Sequence, residues 1–255
     1  MKPGVEERPE TLFGLHPVLE AIEAGRRTID RVLVAREGGG KNLGRLLRAA
    51  RAAGVPVTYL PREVLAKKVG ARAAHQGVAA FVTPIPYADA DAICDAAARR
   101  PSGLLVVLDG LEDPRNLGAI LRTAAAAGAD GVLLGTEDTV GLTPAVAKTA
   151  AGALERIPVA REGHLSRRLG SLKSAGFRVV ALDPRGPARW DSQDYSARTA
   201  LLAGGEGRGL RRGLLDAADA RISLPLAPGT ESLNVSVAVG AVLYEAVRQR
   251  LLERA

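Results

Sequence analysis

Apolar and polar positions along the chain change period repeatedly, and each change marks an element. Residues 17–22 have helical character that ends at Gly25, and residues 29–35 read as a strand followed by a glycine-rich turn over 36–40. Leu43, Leu46, Leu47 and Ala50 recur at helical spacing, and Gly54 closes that helix. Residues 55–60 read as a second strand, 61–68 as a short helix and 77–82 as another strand. Thr83-Pro84-Ile85-Pro86-Tyr87 then sets prolines at alternate positions, which favours extended chain and interrupts helix. This predicts a first unit over 1–82, a linker over 83–88 and a second unit over 89–255.

The second unit alternates strand and helix. Residues 88–100 read as its opening helix, and 104–108 form the nearly all-apolar run of a strand buried on both faces. Asp113-Pro114 supplies an N-cap followed by proline at the first helical position, and the helix it opens stops at Gly128. Further strands are predicted over 132–134, 158–160, 177–182, 200–203 and 222–224. Val235, Ala238, Val239, Val242, Leu243 and Ala246 follow the helical period and predict a long final helix. The alternation defines an α/β fold with a mostly parallel sheet and helices on both faces.

Composition narrows the function. One cysteine excludes an intramolecular disulfide, and one cysteine with His16, His75 and His164 scattered along the chain argues against zinc. No apolar run approaches the ~18 residues of a spanning helix. The first ten residues are charged and do not read as a signal peptide, so a cytoplasmic protein is expected. The net charge of +7 is uneven: residues 1–82 hold 14 basic and 8 acidic side chains, residues 83–255 hold 21 and 20. A basic unit joined to a near-neutral one suggests a polyanion-binding part that delivers substrate, although a basic solvated surface explains the charge equally well. Aromatic residues are 3% of the chain and unclustered, which argues against a base-stacking platform and leaves phosphate and shape as the means of holding nucleic acid.

The common nucleotide signatures fail. Gly40-Lys41 is followed by Asn42, which breaks a P-loop, and Gly205-Glu206-Gly207-Arg208-Gly209 does not fit the dinucleotide fingerprint. Three other segments carry candidate chemistry. In Asp109–Arg122 a buried strand enters a helix, the place where open α/β sheets bind ligands. Asn116 and Arg122 there point ~120° apart around the helix and can border one cleft. Gly118 inside that helix costs up to ~1 kcal/mol against alanine, so something approaches its backbone. In Gly204-Gly205-Glu206-Gly207-Arg208-Gly209 a carboxylate sits among glycines that can wrap a ligand with backbone groups. In Ser232-Leu233-Asn234-Val235-Ser236, Ser232 or Asn234 can cap the final helix, whose free N–H groups suit an anion. Singly, each segment is also explained by capping, packing or a surface turn.

Taken in order, N-x-G-x-x-x-R, then G-x-E-G-x-G, then S-L-N-V-S after a proline-ended strand resemble the SpoU family of RNA ribose 2′-O-methyltransferases, over nearly the whole chain. Phe13-Gly14-Leu15-His16-Pro17 and His75-Gln76-Gly77-Val78 resemble the extra N-terminal domain of the subgroup that methylates a guanosine in the peptidyl-transferase P loop of 23S rRNA. The resemblance implies a trefoil-knotted catalytic domain, a ribosomal protein L30e-like RNA-binding domain over 1–82, and a homodimer using S-adenosylmethionine without a metal. It implies a catalytic set of Asn116, Arg122, Glu206 and Asn234. It implies a cofactor pocket lined by Gly204, Gly205, Gly207, Leu224, Ser232 and Leu233. Gly205 departs from the family's common form, where a bulkier residue is expected, and the turn over 227–231 is idiosyncratic. A 2′-hydroxyl is a poor nucleophile, so a base must take its proton or donors must stabilise the oxyanion. Arginine stays charged, with a pKa above ~12, so Arg122 is expected to hold phosphate or the oxyanion while Glu206 or an RNA phosphate assists proton removal. The competing expectations are a tRNA enzyme, a resistance-type enzyme acting at another rRNA site, an RNA-binding assembly factor without catalysis and, more distantly, a dinucleotide oxidoreductase.

Overall fold

The computed structural model describes residues 10–36, 41–69 and 75–253. The glycine-rich turn expected after Arg36 lies outside the described residues. The chain divides into two units, Met1–Pro86 and Tyr87–Ala255.

The first unit runs β1 (Glu10–Phe13), α1 (Leu15–Ala24), β2 (Ile29–Ala35), α2 (Lys41–Ala52), β3 (Val57–Leu60), α3 (Arg62–Val69) and β4 (Val78–Val82). Its sheet has the order β1-β4-β2-β3, with β4 antiparallel to both neighbours and β2 parallel to β3. Alternation along β2 divides the core. Val32 and Val34 pack under Val18, Leu19 and Ile22 of α1 and Leu46 of α2. Leu33 and Ala35 turn to the opposite face, against Leu65 of α3. Gly25 ends α1 in the left-handed conformation. His75 is buried and builds the turn into β4, its Nδ1 accepting from the Gly77 N–H at 3.1 Å.

The second unit runs α4 (Ala90–Ala98), β5 (Leu104–Asp109), α5 (Pro114–Ala126), β6 (Gly131–Gly135), α6 (Pro144–Ala150), β7 (Val159–Glu162), α7 (Leu165–Ser174), β8 (Arg178–Leu182), β9 (Ala188–Arg189), β10 (Thr199–Gly204), α8 (Arg212–Ala217), β11 (Ala220–Ser223) and α9 (Val235–Leu252). All its strands are parallel, in the order β7-β6-β5-β10-β8-β11-β9. Ile93 of α4 and Leu165, Leu169 and Leu172 of α7 cover one face over Leu105, Val107, Leu133 and Leu202. The alternate residues Leu104, Val106 and Leu108 are equally buried, so both faces are covered. The last predicted strand ends at Ser223, because Leu224 leads into Pro225, which has no N–H for a ladder. Among the described residues no helix is long and apolar enough to cross a membrane.

Candidate active site

β5 and β10 lie side by side at the centre of the sheet, in register from Leu104 opposite Thr199 to Asp109 opposite Gly204. They end together at the carboxyl edge, where open parallel sheets bind ligands. Asp109 is buried there, and Arg211 grips it with two bonds, Nε to Oδ2 at 2.9 Å and Nη2 to Oδ1 at 2.7 Å. Arg211 also donates to Glu137. The bond to Asp109, with the surrounding carboxylates, pushes the guanidinium pKa further up. The clamp ties the chain leaving the glycine loop to the end of β5.

Inside that clamp the glycine loop folds on itself. The Gly205 N–H donates to the Asp109 carbonyl at 2.9 Å, and the Gly209 N–H to the Gly205 carbonyl at 2.9 Å. A Cβ at Gly205 would stand 1.9 Å from the Gly110 oxygen, and one at Gly204 2.3 Å from the Gly209 carbonyl carbon. The expectation of a bulkier residue at 205 therefore meets a physical bar in this chain, since two backbones touch there. Gly118 has a packing role: its Cβ would stand 2.5 Å from the Thr149 Cβ of α6 and 2.9 Å from the Val146 oxygen.

Three of the four expected catalytic residues meet. Asp113 caps α5 by accepting from the Arg115 N–H at 2.7 Å, which fixes the first turn and with it buried Asn116. Asn116 Nδ2 donates to Glu206 Oε1, and Asn116 Oδ1 accepts from Asn234 Nδ2 at 3.0 Å. Asn234 Nδ2 also donates to Glu206 Oε1, at 3.1 Å. The Asn234 amide cannot be reversed without losing the α9 cap, because its Oδ1 accepts from the Ser236 N–H at 2.9 Å and from the Ser236 hydroxyl at 2.6 Å. Glu206 Oε1 is thus held by two amides, and no hydrogen bond engages Oε2 among the described residues. Arg122 stands apart from this network. It lies on the exposed face of α5, and its guanidinium makes no hydrogen bond or ion pair among the described residues.

Beside the network lies a cleft of about 290 Å³ that gathers five of the expected cofactor residues, Gly204, Gly205, Gly207, Ser232 and Leu233. Leu224 lines a smaller recess that shares Ser232 and Leu233 with it. The far wall is the turn after β8, Leu182-Asp183-Pro184-Arg185, which the sequence reading missed. Its signal was the position of that turn at the carboxyl end of a buried strand. Asp183 is buried, which alone would raise its pKa. The Arg185 N–H at 3.0 Å and the Arg221 guanidinium at 2.6 Å outweigh burial and hold its carboxyl below the usual range. Among the described residues no group of three or more His, Cys, Asp or Glu side chains is placed to hold a metal ion.

Solved structures similar to this fold include SpoU RNA methyltransferases. The SpoU rRNA Methylase family profile matches residues 103–244, more than half of the chain, and the chain belongs to that family of RNA 2′-O-methyltransferases. A second profile, RNA 2′-O ribose methyltransferase substrate binding, matches residues 11–88. An uncharacterized tRNA/rRNA methyltransferase of Mycobacterium avium is 40% identical over 96% of this chain and 79% of its own length. The SpoU methyltransferase AviRb of Streptomyces viridochromogenes, solved with AdoMet bound, superposes with a TM-score of 0.77 at 28% identity, over 95% of this chain and 91% of that one. The TrmH/SpoU tRNA modifying enzyme of A. aeolicus, at 26% identity and a TM-score of 0.54, covers 64% of this chain and 83% of its own.

Proposed function

We propose that the chain transfers the methyl group of S-adenosylmethionine to the ribose 2′-hydroxyl of a guanosine in large-subunit rRNA, in the peptidyl-transferase P loop. The observation that carries the reading is the Asn116–Glu206–Asn234 network at the lip of the glycine-walled cleft. The cleft fits the cofactor's chemistry. Leu182, Leu210, Leu215 and Leu233 offer apolar walls to a flat base, and the backbone of the glycine loop offers polar groups to its edge. Gly204, Gly205, Gly207, Leu224, Ser232 and Leu233 are the residues that would hold it. When bound, S-adenosylmethionine supplies an activated methyl group on sulfonium.

The chain's own residues then do the positioning and proton handling. Asn116 and Asn234 fix Glu206 through Oε1, and Oε2 accepts the proton of the 2′-hydroxyl. Arg122 remains charged and holds a substrate phosphate or the developing oxyanion. The N-terminal unit binds the RNA. That unit favours rRNA over tRNA, since the A. aeolicus tRNA enzyme covers only 64% of this chain. The active form is a homodimer with a trefoil-knotted catalytic domain. Val237, Tyr244 and Leu251 lie two turns apart in succession along α9 and are 57%, 53% and 59% exposed, an apolar stripe suited to a second copy.

The test is incubation of the protein with labelled S-adenosylmethionine and unmodified large-subunit rRNA, with tRNA in parallel, followed by mapping of 2′-O-methyl groups. One labelled P-loop guanosine is expected. Label in tRNA or at another rRNA position overturns the substrate, and no label on any RNA overturns the activity.

A further inference from the structure

The turn Asp183-Pro184-Arg185-Gly186-Pro187 is built more rigidly than a connection from β8 to the two-residue edge strand β9 requires. Two prolines fix φ along it. The Gly186 N–H donates to the Asp183 carbonyl at 2.8 Å, and the Ser223 hydroxyl donates to the Gly186 carbonyl at 2.9 Å. A Cβ at Gly186 would stand 2.6 Å from the Ile222 backbone, so the turn lies flat on β11. Buried Asp183 pins it from below by accepting from the Arg185 N–H and from Arg221.

This frame presents one side chain outward. Arg185 is exposed, and its guanidinium makes no hydrogen bond or ion pair among the described residues. It stands on a wall shared by two cavities. One is the cofactor cleft. The other is an open hollow of about 470 Å³ lined by Arg185, Arg212, Arg221, Asp216, Leu210 and Leu215. Arg221 is committed to Asp183. Arg212 has only a 3.9 Å contact with Asp216, with 93% of its side chain exposed, a pair that solvent screens almost fully. Two guanidinium groups are therefore available over one hollow next to the cleft.

We propose that Arg185 and Arg212 form a phosphodiester-binding subsite on the catalytic unit, which holds the RNA backbone flanking the methylated nucleotide. The inference rests on the RNA methyltransferase reading and deepens it. The chemistry is that of two planar forks that match phosphate oxygens, one of them carried on a rigid turn. Asp216 on the same wall makes binding depend on Arg212 turning from its carboxylate to the phosphate. This subsite lies in the near-neutral unit, where net charge gives no hint of it.

The experiment measures binding of the full chain to transcribed, unmodified large-subunit rRNA between about 50 and 200 mM salt, for the wild type, Arg185→Ala and Arg212→Ala. Each substitution is expected to weaken RNA binding several-fold and to reduce the slope of log affinity against log salt by ~0.7, the loss of one contact to a single strand. Cofactor titration by calorimetry accompanies it, and Arg212→Ala is expected to keep the wild-type cofactor affinity. Wild-type salt slopes in both variants overturn the subsite. So does loss of cofactor affinity in Arg185→Ala with an unchanged RNA slope, which makes Arg185 a cofactor contact. The slope reports RNA binding without turnover. A wild type that binds RNA but never methylates it defeats the proposed function, whereas an active wild type with unaltered variant slopes defeats only the subsite.

Discussion

Asn234 donates its amide to Asn116 across 118 residues of chain, and both donate to the same oxygen of Glu206. The Asn234 oxygen is spent on the α9 cap, so the amide has one orientation. A helix cap and the Glu206 carboxylate are thereby set by a single side chain.

Glu206→Gln keeps the size of the side chain and removes its capacity to take a proton. Turnover is expected to fall by about 10²-fold or more, with cofactor affinity and melting temperature near wild type. Single-turnover methyl transfer measures it. A variant within a few-fold of wild type means that the proton leaves by another route.

Arg122 is exposed and has no ion pair among the described residues, so Arg122→Ala is expected to change stability by less than about 0.5 kcal/mol while strongly reducing methyl transfer. Arg122→Lys keeps charge and loses the planar fork. If the lysine variant turns over at a near-normal rate, the guanidinium itself is not needed.

Gly118→Ala sets two effects against each other. Alanine gains up to about 1 kcal/mol in helix propensity, but its methyl would stand 2.5 Å from Thr149, and such overpacking costs about 1–3 kcal/mol. Net destabilisation is expected, seen as a melting temperature lower by about 2–4 °C per kcal/mol.

Much of this was legible in the sequence, for identifiable reasons. β5 is read from its apolar run because it is buried on both faces, and α5 from Asp113-Pro114 because cap and proline act locally. α6 opens with the same device, Thr143 accepting from the Val146 N–H and then Pro144, but it is too short for a hydrophobic period to show. β1 is four half-buried residues at a sheet edge, and β9 is two residues, so neither has a pattern. α7 has a buried stripe, Leu165, Leu169 and Leu172, but no side-chain cap to mark its start. Asn116, Glu206 and Asn234 were found by motif, while their contact depends on strand order, which local periodicity does not contain. Asp183 and Arg185 escaped for that reason also: β8 reaches the site only because β10 lies between it and β5.

Asp183→Asn tests the turn through pH. The folded carboxyl lies below its ordinary value of 3.8, so its stabilising contribution is complete above that value and is lost as pH falls through the lowered one. Wild type is expected to exceed the variant by about 2 kcal/mol at pH 7, and the gap is expected to close in acid. Denaturant melts at pH 7, 5 and 3 read it. A gap that widens toward pH 3 contradicts the ion-pair account.

Tyr244→Arg places a charge in the exposed apolar stripe of α9. Sedimentation is expected to show a dimer for the wild type and a monomer for the variant at micromolar concentration. A wild type that sediments as a monomer removes the stripe as a self-association face.

The central place of β10 has a consequence for synthesis. A chain that has emerged only as far as β8 has strands β5 and β8 with no partner between them, and each presents an open edge to any other nascent chain. Thr199–Gly204 fills both edges in one step and delivers the loop bearing Glu206 to Asn116, and α9 then brings Asn234. Protection from aggregation and the assembly of the Asn116–Glu206–Asn234 network therefore begin at the same moment of biosynthesis.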